Sequence, residues 1–188
     1  MPGDWDFFKS KLFTSISEIN DSYYHVKRAE SVDCYKERVY CYELYHQLRI
    51  QLGDDYEYCL MGELDKCSHQ SFCNAYGVEP KHGPKPDFII HTPGIQNEIS
   101  NFVIIEIKTT NNRISKIKDD IIKLLGFINN TSYRYGISLI YGDNLDMDSL
   151  NSAIAELETH NNMSKIMVIW HDREGCIPRI VYESNSTI

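Results

Sequence analysis

Pro86-Asp87-Phe88-Ile89-Ile90 and, after a loop, Phe102-Val103-Ile104-Ile105-Glu106-Ile107-Lys108 form the stretch on which the fold turns. Both runs are apolar and rich in β-branched and aromatic residues, which predicts two buried strands. The connection holds Pro93-Gly94 and Asn97, a hairpin signature, so the strands are expected to pair antiparallel. Side chains alternate along a strand, which puts Glu106 and Lys108 on one face. Antiparallel pairing then sets Asp87 opposite the Glu106–Lys108 end. Two carboxylates and an ammonium meet at one rim of the sheet.

Upstream, Cys41, Leu44, Tyr45, Leu48 and Leu52 repeat at helical spacing within residues 34–52, and Gly53-Asp54-Asp55 ends that helix. Residues 56–64 read as a strand, and 65–85 as irregular chain rich in Pro and Gly. Before them, Trp5, Phe7, Phe8, Leu12, Phe13, Ile16 and Ile19 suit an amphipathic helix packed on the body. Downstream, Ile114, Ile117, Ile121, Leu124, Leu125 and Ile128 mark a helix. A strand at 135–141, a helix at 148–160, a strand at 165–171 and a short strand at 177–182 follow. The order predicts an α/β fold: a mixed central sheet whose first three strands form a meander, with helices on both faces. No repeat or linker divides the 188 residues, so one domain is expected, with a core at about 34–141, a helical segment at 1–33 and an extension at 142–188.

The rim of Asp87, Glu106 and Lys108 suits phosphodiester hydrolysis. Mg²⁺ takes hard oxygen ligands, commonly one or two carboxylates with water and substrate phosphate, and Mn²⁺ is an alternative. It polarises the phosphoryl group and activates water. A lysine beside the carboxylates orients that water or stabilises the charge that develops at phosphorus. The plainer reading of a bare Glu-x-Lys is an ion pair at a strand end. The preceding Pro-Asp strand and the element order favour the metal site.

Pro86-Asp87 with Glu106-Ile107-Lys108 resembles the signature of the PD-(D/E)XK nuclease superfamily, and the expected elements from about 34 to 141 resemble its restriction-endonuclease-like core. The resemblance implies that Asp87 and Glu106 are metal ligands, with the Ile107 carbonyl as a further one, and that Lys108 is the catalytic lysine. Many members add an acidic residue from the helix before the meander. Glu43 is preferred, because Tyr42-Glu43-Leu44-Tyr45-His46 resembles a stretch in related bacterial members; Glu37 is the alternative, and Glu63 stays open. The implied activity is metal-dependent cleavage of nucleic acid, expected to be DNA.

The net charge of -8 argues against binding through one uniform basic surface. Local basic residues before and after the motif, among them Lys81, His82, Lys85, Arg113, Lys116, Lys118 and Lys123, are candidates for holding the phosphate backbone, with Lys85, Arg113 and Lys116 chosen. Their plainer reading is solvated charge diluted by Asp119-Asp120. Cys59, Cys67, His69 and Cys73 lack the paired Cys-x-x-Cys spacing of a zinc site, and free thiols are expected instead. His46 and His91 read as packed or hydrogen-bonded histidines. Tyr40, Tyr42 and Tyr45 read as core packing ahead of base stacking. No export signal or membrane-length apolar stretch is read, so a cytoplasmic protein is expected. A homodimer or a larger defence or repair complex suits a duplex-cutting enzyme. The rival readings are a non-catalytic recognition or scaffold subunit, and a hydrolase of a small phosphorylated molecule.

Overall fold

The computed structural model describes residues 4–28, 31–62, 85–95 and 99–184. Chain order begins with helix α1 (Trp5–Ser17), the single turn α2 (Asp21–Tyr24), a hairpin of β1 (Val26–Arg28) and β2 (Ser31–Cys34), then helix α3 (Glu37–Leu52). Strands β3 (Cys59–Gly62), β4 (Phe88–His91) and β5 (Asn101–Thr109) follow, then helix α4 (Ile114–Thr131) and β6 (Tyr135–Tyr141). Helix α5 (Met147–Leu157), β7 (Ile166–His171) and β8 (Arg179–Glu183) complete the order.

The long strands form one six-stranded sheet in the order β3-β4-β5-β6-β7-β8. The β3–β4–β5 pairs are antiparallel, β5–β6–β7 are parallel, and β8 returns antiparallel along β7. Connection length explains the switch. A short loop joins β4 to β5 and permits a hairpin, whereas α4 between β5 and β6 carries the chain back for a parallel start. The fold is thus α/β with a mixed sheet, as expected. The segment expected as a C-terminal extension is part of the same layer: β7 and β8 continue the sheet, and α5 packs beside α4.

Helices cover both faces. Phe8, Leu12 and Ile16 of α1 and Tyr40, Leu44 and Leu48 of α3 pack against Val103, Ile105 and Ile107. On the other face Ile117, Ile121, Leu124 and Ile128 of α4 meet Ile104 and Ile140. Alternate residues of β5 therefore enter opposite cores, and the central strand is buried along almost its whole length. The α1 start is fixed by Asp4, whose carboxylate accepts from Phe7 N–H at 3.0 Å. Gly53, at φ 75°, closes α3.

Some boundaries differ from the sequence reading. The N-terminal segment holds two helices, and Val26–Arg28 pairs antiparallel with Ser31–Cys34, so Cys34 ends a strand and the helix begins at Glu37. The third strand is shorter than 56–64, running Cys59–Gly62 within the described residues. Most of the irregular 65–85 segment, with Glu63, Cys67, His69, Cys73, Lys81 and His82, lies outside the described residues.

Candidate active site

The site grows from the register of β4 on β5. Phe88 pairs with Ile105, Ile89 with Ile104 and Ile90 with Val103. Continuing that antiparallel ladder by one step carries Asp87 to the level of Glu106. There its Oδ2 accepts the backbone N–H of Ile107 at 2.7 Å. The bond fixes the carboxylate at the β5 edge and leaves Oδ1 for another partner.

Glu106 and Lys108 project toward the α4 side, as their alternation with Ile105 and Ile107 requires. Glu106 is 2 % exposed. Its Oε1 lies 2.6 Å from Lys123 Nζ on α4 but makes no well-aligned hydrogen bond, so the contact is an ion pair with unused acceptor capacity. Lys108 is a hub. Its Nζ lies 3.3 Å from Glu37 Oε1 on α3, 3.5 Å from Asp120 Oδ2 on α4 and 3.3 Å from the Ile107 carbonyl. Lys123 Nζ also donates to the Lys85 carbonyl at 2.8 Å. Glu37, Arg38, Cys41, Lys85 and Asp87 line an open cleft of about 270 Å³ beside these groups.

Four carboxylates, those of Glu37, Asp87, Glu106 and Asp120, thus surround two ammonium groups. With all four ionised, negative charge exceeds positive by two. Burial raises Asp87 to about 6; the Ile107 N–H and Lys108 oppose the rise without cancelling it. Burial likewise raises Glu106 to about 8, against the pull of Lys123. Asp120 is raised by burial, with Lys108 and Lys123 opposing. Burial pulls Lys108 down, yet Asp120, Glu37 and Asp87 outweigh it and leave the ammonium more firmly protonated than usual. Glu106 Oε1 and Asp120 Oδ2 are buried and meet Lys123 and Lys108 as ion pairs without an aligned hydrogen bond. Desolvated carboxylates with spare acceptor capacity are a donor set that a hard divalent cation fits.

Of the residues read from sequence, Asp87, Glu106, Ile107 and Lys108 come together. Glu37, the alternative acidic residue, reaches Lys108, whereas Glu43 accepts from Gln47 Nε2 at 2.7 Å on its own helix. Lys85 is exposed on the cleft wall. Arg113 is exposed at the start of α4, and exposed Lys116 pairs with Asp119 at 3.3 Å. The sequence reads Asp120 as charge that dilutes the basic patch and Lys123 as one of the candidates for the phosphate backbone; the structure sets Asp120 against Lys108 and Lys123 against Glu106. The available signal was Asp120's place one residue before Ile121, on the flank of the apolar stripe of α4. Cys59 is an exposed free thiol, His46 is exposed, and buried His91 sets Nε2 3.4 Å from Met61 Sδ. Tyr40 stacks on Tyr141 at 3.9 Å inside the core, and Tyr45 donates to the Leu60 carbonyl, so neither is presented to a base; Tyr42 is exposed. Elsewhere, Asp21, His25 and Glu174 bring ligand-type atoms within 4.8 Å, but Asp21 is already paired with His25 and Lys27.

No family model matches the chain, no curated protein matches it, and no solved structure matches it. Among the described residues no helix is long and apolar enough to cross a membrane.

Proposed function

We propose that the chain is a Mg²⁺- or Mn²⁺-dependent phosphodiesterase of the nuclease type, acting on DNA, with a restriction-endonuclease-like core of the PD-(D/E)XK kind. The observation that carries this reading is the pair of desolvated carboxylates, Asp87 and Glu106, set across one strand pair with Lys108 beside them. Its position supports it too. The site lies at the carboxyl end of β5, the central strand that pairs antiparallel with β4 and parallel with β6, and open α/β sheets favour ligands at the carboxyl ends of their strands.

A bound divalent cation supplies a Lewis acid for the phosphoryl oxygen and an acidified water. Asp87 and Glu106 would hold it through carboxylate oxygens, with the Ile107 carbonyl as a further candidate ligand. Lys108 remains an ammonium, because Asp120 and Glu37 flank it. Its role is therefore to donate a hydrogen bond to the attacking water and to stabilise charge on the phosphorane, not to act as the general base. Glu37 fixes its direction from α3. Lys85, on the cleft wall, and Arg113 and Lys116, at the start of α4, are the cations assigned to the phosphate backbone on this reading.

Cleavage of supercoiled plasmid and of a labelled single strand tests this with Mg²⁺, Mn²⁺ or EDTA. Wild type is expected to nick only with metal, and Lys108→Ala or Asp87→Ala to lose on the order of 10²-fold or more in rate. Unchanged cleavage in either folded variant overturns the assignment. Absence of cleavage together with absence of cation binding favours the non-catalytic recognition or scaffold subunit.

A further inference from the structure

The charged group with the least obvious purpose is Lys123. It is not part of the short motif, it comes from α4, and it reaches across to the two strands that carry the site. One of its contacts is to the side chain of Glu106, 2.6 Å away; the other is a hydrogen bond to the backbone carbonyl of Lys85, two residues before Asp87. The two are chemically unequal: an ion pair to a carboxylate oxygen is exchangeable for another cation, whereas the amide carbonyl carries no net charge.

From this geometry we infer that Lys123 is a resident counter-ion that occupies Glu106 in the metal-free protein and yields it when a divalent cation binds. The inference rests on the proposed reading of Asp87 and Glu106 as metal ligands. Glu106 is almost fully buried, and an ionised carboxylate without a partner there is strongly destabilising, so the ionised, metal-free site needs a cation beside it. An ammonium and a divalent ion on one buried oxygen repel at close range in a medium that screens poorly, so the two compete for it. Lys123 yields Oε1 as the metal takes it. The bond to the Lys85 carbonyl keeps the ammonium at the rim after release, where the site's two excess negative charges accommodate a divalent ion and both lysines together. Lys123 is thus a positioning residue that sets the threshold for metal entry, and a purely structural brace predicts the opposite effect on affinity.

Calorimetric titration with Mn²⁺ or Mg²⁺ alone separates these outcomes, in alkaline buffer so that protons do not compete for Glu106. Lys123→Met, with native circular dichroism, is expected to bind the ion about tenfold more tightly than wild type, because a competing cation of ion-pair strength is removed. Lys123→Gln retains a donor for the Lys85 carbonyl and is expected to behave alike, which covers poor folding of the Met variant. Lys123→Arg, which keeps the charge, stays near wild type. Equal or weaker binding by both neutral variants, with wild type binding normally, overturns the counter-ion role and leaves the metal site standing. No binding by wild type removes the metal site and the inference with it.

Discussion

A carboxyl group buried as deeply as that of Glu106 is costly to ionise, so the folded protein holds its proton to a higher pH than the unfolded chain does. Glu106 is raised from an ordinary 4.5 to about 8, so between those values the folded state binds more protons than the unfolded chain. Stability therefore falls as pH rises through that window. Asp87 acts the same way between 3.8 and about 6. His171 acts oppositely: burial lowers it from 6.5 to about 4, so its contribution is lost as pH falls below 6.5. From about 6.5 to 8 Glu106 dominates these three. The melting temperature of the metal-free protein should decline across that interval, and the decline should shrink in Glu106→Gln. Thermal scans at several pH values check it, and a flat wild-type profile contradicts it. At this scale Asp87, Glu106 and Lys108 were legible, because strand alternation and a hairpin register determine their directions from local pattern alone. Glu37 against Glu43 was not, because the choice depends on how α3 is rotated against the sheet. Lys123 was hidden for a related reason: a long side chain crosses from an exposed helix face to a buried partner.

At the carboxyl ends of β6 and β7, beside the site, aromatic residues close the fold. Tyr24 OH donates to the His171 carbonyl at 3.0 Å and accepts from Gly142 N–H at 3.1 Å, while Tyr40 OH lies 3.0 Å from His171 Nδ1. Gly142 turns the chain at φ 115°, and a Cβ there would meet Thr110 Oγ1 and, at 3.0 Å, the Tyr35 ring. Gly142→Ala combines backbone strain with overpacking and is expected to lose about 1–3 kcal/mol of stability. Denaturant unfolding measures it, and a loss within error would show that the turn relaxes freely. The strands and helices bounded by long apolar runs could be read before folding, since periodicity and connection length carry most of that information. The β1–β2 hairpin could not. It is three and four residues long, lacks a clear alternation, and owes its place to the neighbours it packs against.

For the molecule as a whole, the α/β class followed from the alternation of elements, but the extent of the sheet did not. Residues after 142 carry no motif, and only the register of β7 on β6 shows that they finish the same layer. That layer has a simple property: strands that neighbour one another in the sheet are neighbours in the described chain order, from β3 through β8. No strand needs to be inserted between two that are already paired. Such a ladder can open from its edges inward, with β3 and β8 leaving before β5 and β6 are disturbed. Native-state hydrogen exchange should accordingly find the slowest amides at Ile104–Ile107 and Ile137–Ile140 and faster ones along β3 and β8. Equal rates at the edge and the centre would contradict this. The strand bearing Glu106 and Lys108 is then among the last to lose its order on heating. The working end of the protein should outlast its margins, and inactivation should coincide with global collapse instead of preceding it.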